Sequence, residues 1–195
     1  MTTKSSGDAE PNDPTAGRET SSTLAALDPT RIPAALRERS QWVCWKYIKR
    51  QGKQTKCPVN PRDGNGADST DRTTWTSFDE AVAAWQANDR YAGVGFVFAT
   101  GDLFTGIDLD GCIDDGGALV PSAREIVDSL NSYTEVSPSG RGVKVFIIGR
   151  KPDGCGCKSK TIAGFKETEV YSAERFFTVT GQHVTGTPLS IEEAL

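Results

Sequence analysis

Two aspartates, Asp108 and Asp110, alternate with Ile107 and Leu109 in a stretch that is typical of a β-strand. Because alternate residues of a strand share a face, both carboxylates are expected to project together while the apolar neighbours enter the core. Two carboxylates that close repel each other unless a cation lies between them. Oxygen ligands favour Mg²⁺ or Mn²⁺, so the pair predicts a divalent-metal site, although D-x-D alone is also compatible with a solvated strand end.

The segment Ser137-Pro-Ser-Gly-Arg-Gly-Val-Lys144 has the composition of an anion-binding loop. Its glycines permit positive φ and close backbone approach, so that successive N–H groups can face an anion. Ser137 and Ser139 add hydroxyls, while Arg141 and Lys144 add cations. The segment lacks the G-x-x-x-x-G-K-[ST] pattern of a P-loop, and a tight turn into the next strand is the alternative interpretation.

A third chemically interesting stretch is Glu169-Val-Tyr-Ser-Ala-Glu-Arg-Phe-Phe-Thr-Val-Thr-Gly181. Glu169 lies between Thr168 and Val170 in a predicted strand, which is able to bring a third carboxylate beside the aspartates. Arg175 is expected in the turn before the apolar run. Taken singly, each of these two residues is equally compatible with an ordinary surface position.

The elements that position these residues indicate an α+β domain with a largely antiparallel sheet. Capping boxes at Ser77–Glu80, Ser122–Glu125 and Ser190–Glu193 predict three helix starts. The last helix would contain about five residues, so it must dock on the domain or continue into further chain. In chain order we predict a helix over 33–39, a strand over 42–48, a loop or short hairpin over 49–74, a helix over 78–88, strands over 93–98 and 103–110 joined by a hairpin turn, a helix over 122–131, a strand over 142–148, a mobile segment over 151–166, and strands over 169–171 and 176–180.

The chain of 195 residues has a formal charge of −4 and 36% hydrophobic residues, which suits one globular domain with a tail. Residues 1–30 are polar and predict a disordered leader, and residues 31–195 form the domain. The sequence has neither an apolar run of about 20 residues nor a signal peptide. Its five cysteines are irregularly spaced, which favours reduced thiols and a cytoplasmic protein.

Charge is segregated along the chain. Residues 31–62 carry nine bases and one acid, residues 63–135 carry fourteen acids and three bases, and residues 136–166 carry seven bases and one acid. An acidic block between two basic blocks suits a site in which carboxylates hold cations while lysines and arginines hold phosphates. Ordinary solvated surface accounts for the same pattern.

Taken in order, these motifs resemble the archaeo-eukaryotic primase superfamily, and more narrowly the bifunctional primase–polymerase domains of phages and plasmids. The resemblance covers residues 32–189. It rests on the D-x-D pair, the Ser137–Lys144 segment and the Glu169–Gly181 stretch. Four earlier stretches fit the same pattern: Trp42-x-x-Trp45, Lys56-x-Pro58, Thr74-Trp75-x-x-Phe78-x-x-Ala81 and Gly93-Val-Gly-Phe96.

The resemblance implies a fold with an RRM-like catalytic half beside a small α/β module, and template-directed nucleotidyl transfer with two divalent metals, Mg²⁺ or Mn²⁺. Asp108, Asp110 and Glu169 match the family's metal-binding positions. Ser139, Arg141 and Lys144 match the motif that meets the nucleotide's phosphates, and we add Ser137 and Arg175 as nucleotide-binding candidates. Many members have His where this chain has Lys144, which removes a group that titrates near neutrality but keeps a cation.

The implied partners are a single-stranded or primed DNA template, dNTP or NTP substrates, and, in a longer replication protein, a replicative helicase; no membrane is expected. The basic 31–62 segment, with Trp42, Trp45 and Tyr47, is able to follow a template by charge and stacking, unless these aromatics belong to the core. Two other functions stay open. One is a D-x-D glycosyltransferase that uses a nucleotide-sugar with Mn²⁺, and the other is a non-catalytic nucleic-acid-binding module of a replication or defence complex.

Two further features receive structural interpretations. Cys155-Gly-Cys157 lacks the usual spacing of zinc ligands, so no zinc site is expected. His183 matches none of the catalytic motifs, and we interpret it as structural or exposed.

Overall fold

A computed structural model of the chain describes residues 27–152, 156–159 and 164–193. These residues form an α+β fold with antiparallel strand pairs, which confirms the predicted fold class. The strands are β1 (Trp42–Arg50), β2 (Lys53–Val59), β3 (Gly93–Phe98), β4 (Phe104–Asp110), β5 (Thr134–Val136), β6 (Val143–Ile148), β7 (Lys158–Ser159), β8 (Glu167–Tyr171) and β9 (Arg175–Val179). The helices are α1 (Ala34–Arg37), α2 (Phe78–Gln86) and α3 (Pro121–Leu130), with 3-10 turns at Pro29–Arg31 and Arg72–Thr74.

The strands form two sheets. Sheet A has the order β2-β1-β3-β9, and sheet B has the order β5-β6-β4-β8-β7. An aromatic core lies where the sheets meet, with Phe98 and Phe177 of sheet A against Phe146 of sheet B. Gly106 of β4 makes this approach possible, because the rings of Phe98 and Phe177 occupy the space that a Cβ at this position would need. The opposite face of sheet B is covered by α3.

The predicted β3–β4 hairpin is wrong. A turn does connect the strands, with the Asp102 N–H donating to the Ala99 carbonyl at 3.0 Å, but β3 and β4 belong to different sheets. All six residues of β3 are buried, and its two edges are occupied by β1 and β9. The turn therefore carries the chain from one sheet to the other.

Of the three predicted capping boxes, only the first is present. Ser77 and Glu80 cap α2 reciprocally, whereas α3 begins at Pro121 without a side-chain cap, in keeping with the preference of proline for the first helical position. Residues 191–193, which follow Ser190, form no helix, and Glu193 makes an isolated bridge with Ile148. Ile191 is buried there, and the Ile148 N–H donates to the Glu192 carbonyl at 2.8 Å, contacts that a helix of about five residues does not offer.

Other differences concern strands and termini. The segment 49–74 contains β2, which extends the hairpin with β1, and β5 is a strand that we did not predict. Most of the predicted leader, residues 1–26, lies outside the described residues, as do 153–155 and 160–163 of the segment predicted to be mobile. Within the described part, the Asp28 N–H donates to the Thr180 carbonyl at 2.8 Å. None of the described helices is long and apolar enough to cross a membrane.

Candidate active site

Strand register aligns five charged residues in one row across sheet B. Lys144 on β6 pairs with Asp108 on β4 and with Glu135 on β5, while Asp108 also pairs with Glu169 on β8. Glu169 in turn pairs with Lys158 on β7. Because directly opposed residues project to the same face, their side chains form one line, Glu135–Lys144–Asp108–Glu169–Lys158, which we call the charged row.

The two predicted aspartates lie on the face of β4 that carries the charged row, as the alternation predicts. Ile107 and Leu109, between and beside them, are buried in the core under α3. Asp108 and Asp110 are partly exposed. The third predicted carboxylate, Glu169 on β8, is directly opposite Asp108 in the register, so these two acids lie side by side. Asp110 lies on the same face of β4, two residues beyond Asp108.

Each of these three acids has a lysine as its counter-ion. Lys144 pairs with Asp108, Lys158 pairs with Glu169, and Lys166 lies 2.8 Å from an Asp110 carboxylate oxygen. Burial by itself raises the pKa of Glu169, but the hydrogen bond and charge of Lys158 outweigh it and hold that pKa below its usual range. The site is therefore electrostatically balanced by the chain's own ammonium groups.

Glu167 is a fourth carboxylate that the sequence analysis missed. It is opposite Asp110 in the β4–β8 register, and its carboxylate oxygen is 3.5 Å from the Lys158 ammonium. The alternation Glu167-Thr-Glu169 repeats the D-x-D spacing and was the signal for it. Asp108 and Asp110 of β4 therefore face Glu169 and Glu167 of β8, in two neighbouring cross-strand pairs.

A cavity of about 690 Å³ lies in front of the charged row and is lined by both sheets. Of the predicted site residues, Asp108, Lys144, Glu169 and Arg175 line this cavity, and Asp110, Ser137, Ser139 and Arg141 do not. The complete lining is Gln54, Thr55, Lys56, Pro58, Ala67, Asp68, Ser69, Asp108, Lys144, Glu169, Glu174, Arg175, Phe176, Phe177 and Thr178.

The predicted anion-binding loop lies beside the carboxyl end of β4. Gly142 packs so closely that a Cβ there would be 2.5 Å from the Leu109 carbonyl oxygen. The hydroxyls of Ser137 and Ser139 are 3.0 Å apart, and Ser137 is buried. Arg141 is exposed and reaches away to Asp115 at 2.9 Å. The loop is therefore adjacent to Asp110 rather than part of the cavity wall.

Sheet A contributes two cations to the cavity wall. Lys56 of β2 lies 5.8 Å from the centre of the Trp45 ring, and burial together with the charge of Lys144 lowers the pKa of its ammonium. Arg175 is the first residue of β9 rather than part of the preceding turn, and it lies over the Tyr171 ring at 4.8 Å. Within the described ranges, neither cation has an ion-pair partner. Lys56 belongs to the Lys56-x-Pro58 motif, but we had not predicted it as a site residue.

Lys144 is buried at the centre of the site. Its ammonium is 4.1 Å from the centre of the Phe177 ring, and it lies in the charged row between Asp108 and Glu135. Glu135 has no exposed surface and accepts hydrogen bonds from the Thr180 N–H at 3.0 Å, the Gly181 N–H at 2.9 Å and the Tyr133 hydroxyl at 2.9 Å. Burial raises the pKa of Glu135 to about 7 despite these donors.

The tryptophans proposed for stacking belong to the core. Trp42 and Trp45 are at most 1% exposed, so neither offers a free face to a nucleobase. Tyr47, which packs edge-on against Trp45, is only half-buried. The template interpretation of the basic segment therefore rests on its cations and on Tyr47.

The described residues contain no group of three or more His, Cys, Asp or Glu side chains that converge closely enough to hold a metal ion. Cys155 lies outside the described residues, so the Cys155–Cys157 pair is not visible as a whole. His183 contacts the Thr187 hydroxyl at 3.0 Å and stacks on Tyr133, contacts that fit a structural role.

Comparison with known proteins agrees with the motifs. The chain is 40% identical over 160 residues to the DNA primase-polymerase of Nitratiruptor phage NrS-1. The match covers 80% of this chain and 21% of the phage protein, so this chain spans about a fifth of the length of that relative. The chain matches no family model. The similarity supports the assignment of this chain to the primase–polymerase family.

Proposed function

We propose that this chain catalyses template-directed nucleotidyl transfer, as a DNA primase, a DNA polymerase or both. The observation that carries the proposal is the direct opposition of Asp108 and Glu169 across β4 and β8, beside Lys144 and in front of a cavity. Carboxylates and cations on one surface are what the transfer of a nucleotidyl group with a triphosphate leaving group requires. The DNA primase-polymerase of the phage relative supports the same activity.

The acidic groups fit divalent cations by their chemistry. Asp108, Asp110 and Glu169 offer only oxygen ligands, which Mg²⁺ and Mn²⁺ prefer, and Glu167 adds a fourth carboxylate. The lysine ammonium groups beside Asp108, Asp110 and Glu169 support this proposal, because each of these carboxylates already has a cation next to it. When bound, two metals would activate the attacking 3′-oxygen and neutralise the leaving pyrophosphate.

The chain's own cations would orient the nucleotide. Lys56, Lys144 and Arg175 surround the cavity and can neutralise a triphosphate, whether of a dNTP or an NTP. Ser137, Ser139 and Arg141 stay in the proposal as a neighbouring group, because their loop packs against β4 beside Asp110. Lys144 would supply positive charge beside Asp108.

Sheet B is the half that we propose to be RRM-like. Its strands β4, β5, β6 and β8 have the spatial order β5-β6-β4-β8, and α3 connects β4 to β5. Since β6 lies antiparallel between β4 and β5, these elements form a split β-α-β unit. Sheet A with α1 and α2 would then be the smaller module.

The proposal is tested by primer extension and by synthesis without a primer on single-stranded DNA, with Mg²⁺ or Mn²⁺. We expect Asp108→Asn and Glu169→Gln to lower the rate of nucleotide incorporation by at least about 100-fold, because each removes one carboxylate from the charged row. Asp128→Asn is the matched control, since Asp128 is an exposed acid that pairs with Arg124 on α3. Activity of Asp108→Asn at the wild-type level would disprove the assignment.

A non-catalytic nucleic-acid-binding module is the second candidate, and one observation favours it. Because lysines neutralise Asp108, Asp110 and Glu169, these acids do not require metal ions to coexist. Calorimetric titration with Mn²⁺ separates the two functions. Binding that Glu169→Gln weakens supports catalysis, and an absence of binding supports the second candidate. In either case DNA is the proposed partner, and a helicase partner is proposed only for a longer replication protein.

A further inference from the structure

The hairpin of β1 and β2 extends past the end of β3 as a two-stranded basic ribbon. β3 pairs with β1 only from Trp42 to Trp45, whereas β1 and β2 continue to pair as far as Arg50 and Lys53. We call residues 46–57 the basic ribbon. It contains five cations, and the whole span from Trp42 to Val59 contains no acid; the cations are Lys46, Lys49, Arg50, Lys53 and Lys56.

The register divides the ribbon into two faces. Tyr47 pairs with Lys56 and Lys49 pairs with Gln54, so these four side chains share one face. Gln54, Lys56 and Pro58 alternate along β2 and all line the cavity, so we call this side the cavity face. Of the outer face of β2, Thr55 alone also reaches the cavity lining within the described residues. The outer face carries the remaining cations and their partners, namely Lys46 with Cys57, Ile48 with Thr55, and Arg50 with Lys53.

We propose that the cavity face of the basic ribbon binds the phosphate backbone of the single-stranded DNA template and guides it toward Asp108. Lys49 and Lys56 are diagonal neighbours on this face, which sets their Cα atoms about 7–8 Å apart. Lys49 is exposed near the tip, and Lys56 lies at the cavity wall. A strand held by both therefore ends in front of the charged row.

The other side chains of this face suit a single strand. Gln54 is exposed and offers amide donors for phosphate oxygens, and the half-buried Tyr47 ring lies between Lys49 and Trp45 along β1. Cations interleaved with an aromatic ring form a surface on which single-stranded nucleic acid binds with little sequence preference. The continuity of the face with the cavity favours a nucleic acid over an acidic protein, and this choice rests on the proposed function.

Lys49→Gln and Lys53→Gln form a matched pair for testing this surface. Both lysines are exposed near the ribbon tip, each substitution removes one charge, and they lie on opposite faces. Binding of a labelled single-stranded oligonucleotide is measured by fluorescence anisotropy from 50 to 200 mM salt. Losing one phosphate contact lowers the slope of the logarithm of the binding constant against the logarithm of the salt concentration by about 0.7 in magnitude. This corresponds to about eightfold weaker binding at 50 mM salt.

We expect that loss for Lys49→Gln and a change of less than about twofold for Lys53→Gln. Equal losses would show that only the total charge matters and would overturn the face assignment, as would wild-type binding by Lys49→Gln. An acidic peptide that competes fully with the oligonucleotide would instead indicate a protein partner and would also overturn it. Asp108→Asn separates this inference from the proposed function, because it removes one carboxylate from the charged row and leaves the basic ribbon unchanged. If Lys49→Gln binds the oligonucleotide like the wild type while Asp108→Asn abolishes synthesis, only the proposal for the basic ribbon is refuted. If Asp108→Asn still synthesises DNA, only the catalytic assignment is refuted.

Discussion

Replacing the buried Glu135 by glutamine should change how the stability of the protein depends on pH. Burial raises the pKa of Glu135 from its ordinary value of 4.5 to about 7. The folded state therefore binds more protons than the unfolded state between these values, so the wild-type free energy of unfolding falls as the pH rises through this window. The full difference corresponds to about 3 kcal/mol, most of which separates pH 5 from pH 8.

The measurement is urea denaturation at pH 5, 6.5 and 8 for the wild type, Glu135→Gln and the control Glu125→Gln. Glutamine cannot ionise, so the free energy of unfolding of the wild type should rise by about 2–3 kcal/mol relative to that of Glu135→Gln when the pH falls from 8 to 5. Glu125 is exposed on α3, so its substitution should leave the pH profile unchanged. A constant difference between the wild type and Glu135→Gln at all three values would refute the reasoning, because it would mean that Glu135 keeps the same charge throughout.

Three further outcomes are expected from single substitutions. Gly106→Ala should destabilise the fold by about 3 kcal/mol in urea denaturation, because its Cβ would overlap the rings of Phe98 and Phe177. Glu167→Gln should weaken Mn²⁺ binding about tenfold in calorimetry, since it removes the carboxylate opposite Asp110; unchanged binding would exclude Glu167 from the site. Lys166→Gln should strengthen Mn²⁺ binding about two- to fivefold, because it frees that aspartate from a competing ammonium; weaker binding would contradict the competition.

The acidic face was predictable because strand alternation is local. Asp108 and Asp110 share a face whenever residues 107–110 form a strand, whatever the strand pairs with. The same rule applies to Glu167 and Glu169, so Glu167 was within reach of the sequence and was overlooked. The opposition of Asp108 and Glu169 is a property of the β4–β8 register, which no local pattern specifies.

The division into two sheets was not predictable from local signals. The residues Ala99-Thr-Gly-Asp102 form a turn, and a turn serves a hairpin or a crossover between sheets equally well. Partner choice was decided by burial, since β3 is buried on both faces and needs a strand on each edge. The same tertiary burial places Trp42 and Trp45 in the core, although their sequence context is that of an aromatic, basic surface.

The three lysines that balance the acids differ in a way that bears on the proposed chemistry. The side chains of Lys158 and Lys166 are 50% and 76% exposed, and exposed ion pairs are weak, so a divalent cation can replace both ammonium groups at small cost. The Lys144 side chain is 5% exposed and is held against Asp108 and the Phe177 ring, so displacing it would leave a buried charge unpaired. Metal binding would therefore release the outer lysines and retain Lys144. The Lys144 ammonium would therefore remain at the cavity wall, where it could neutralise the negative charge of a bound triphosphate.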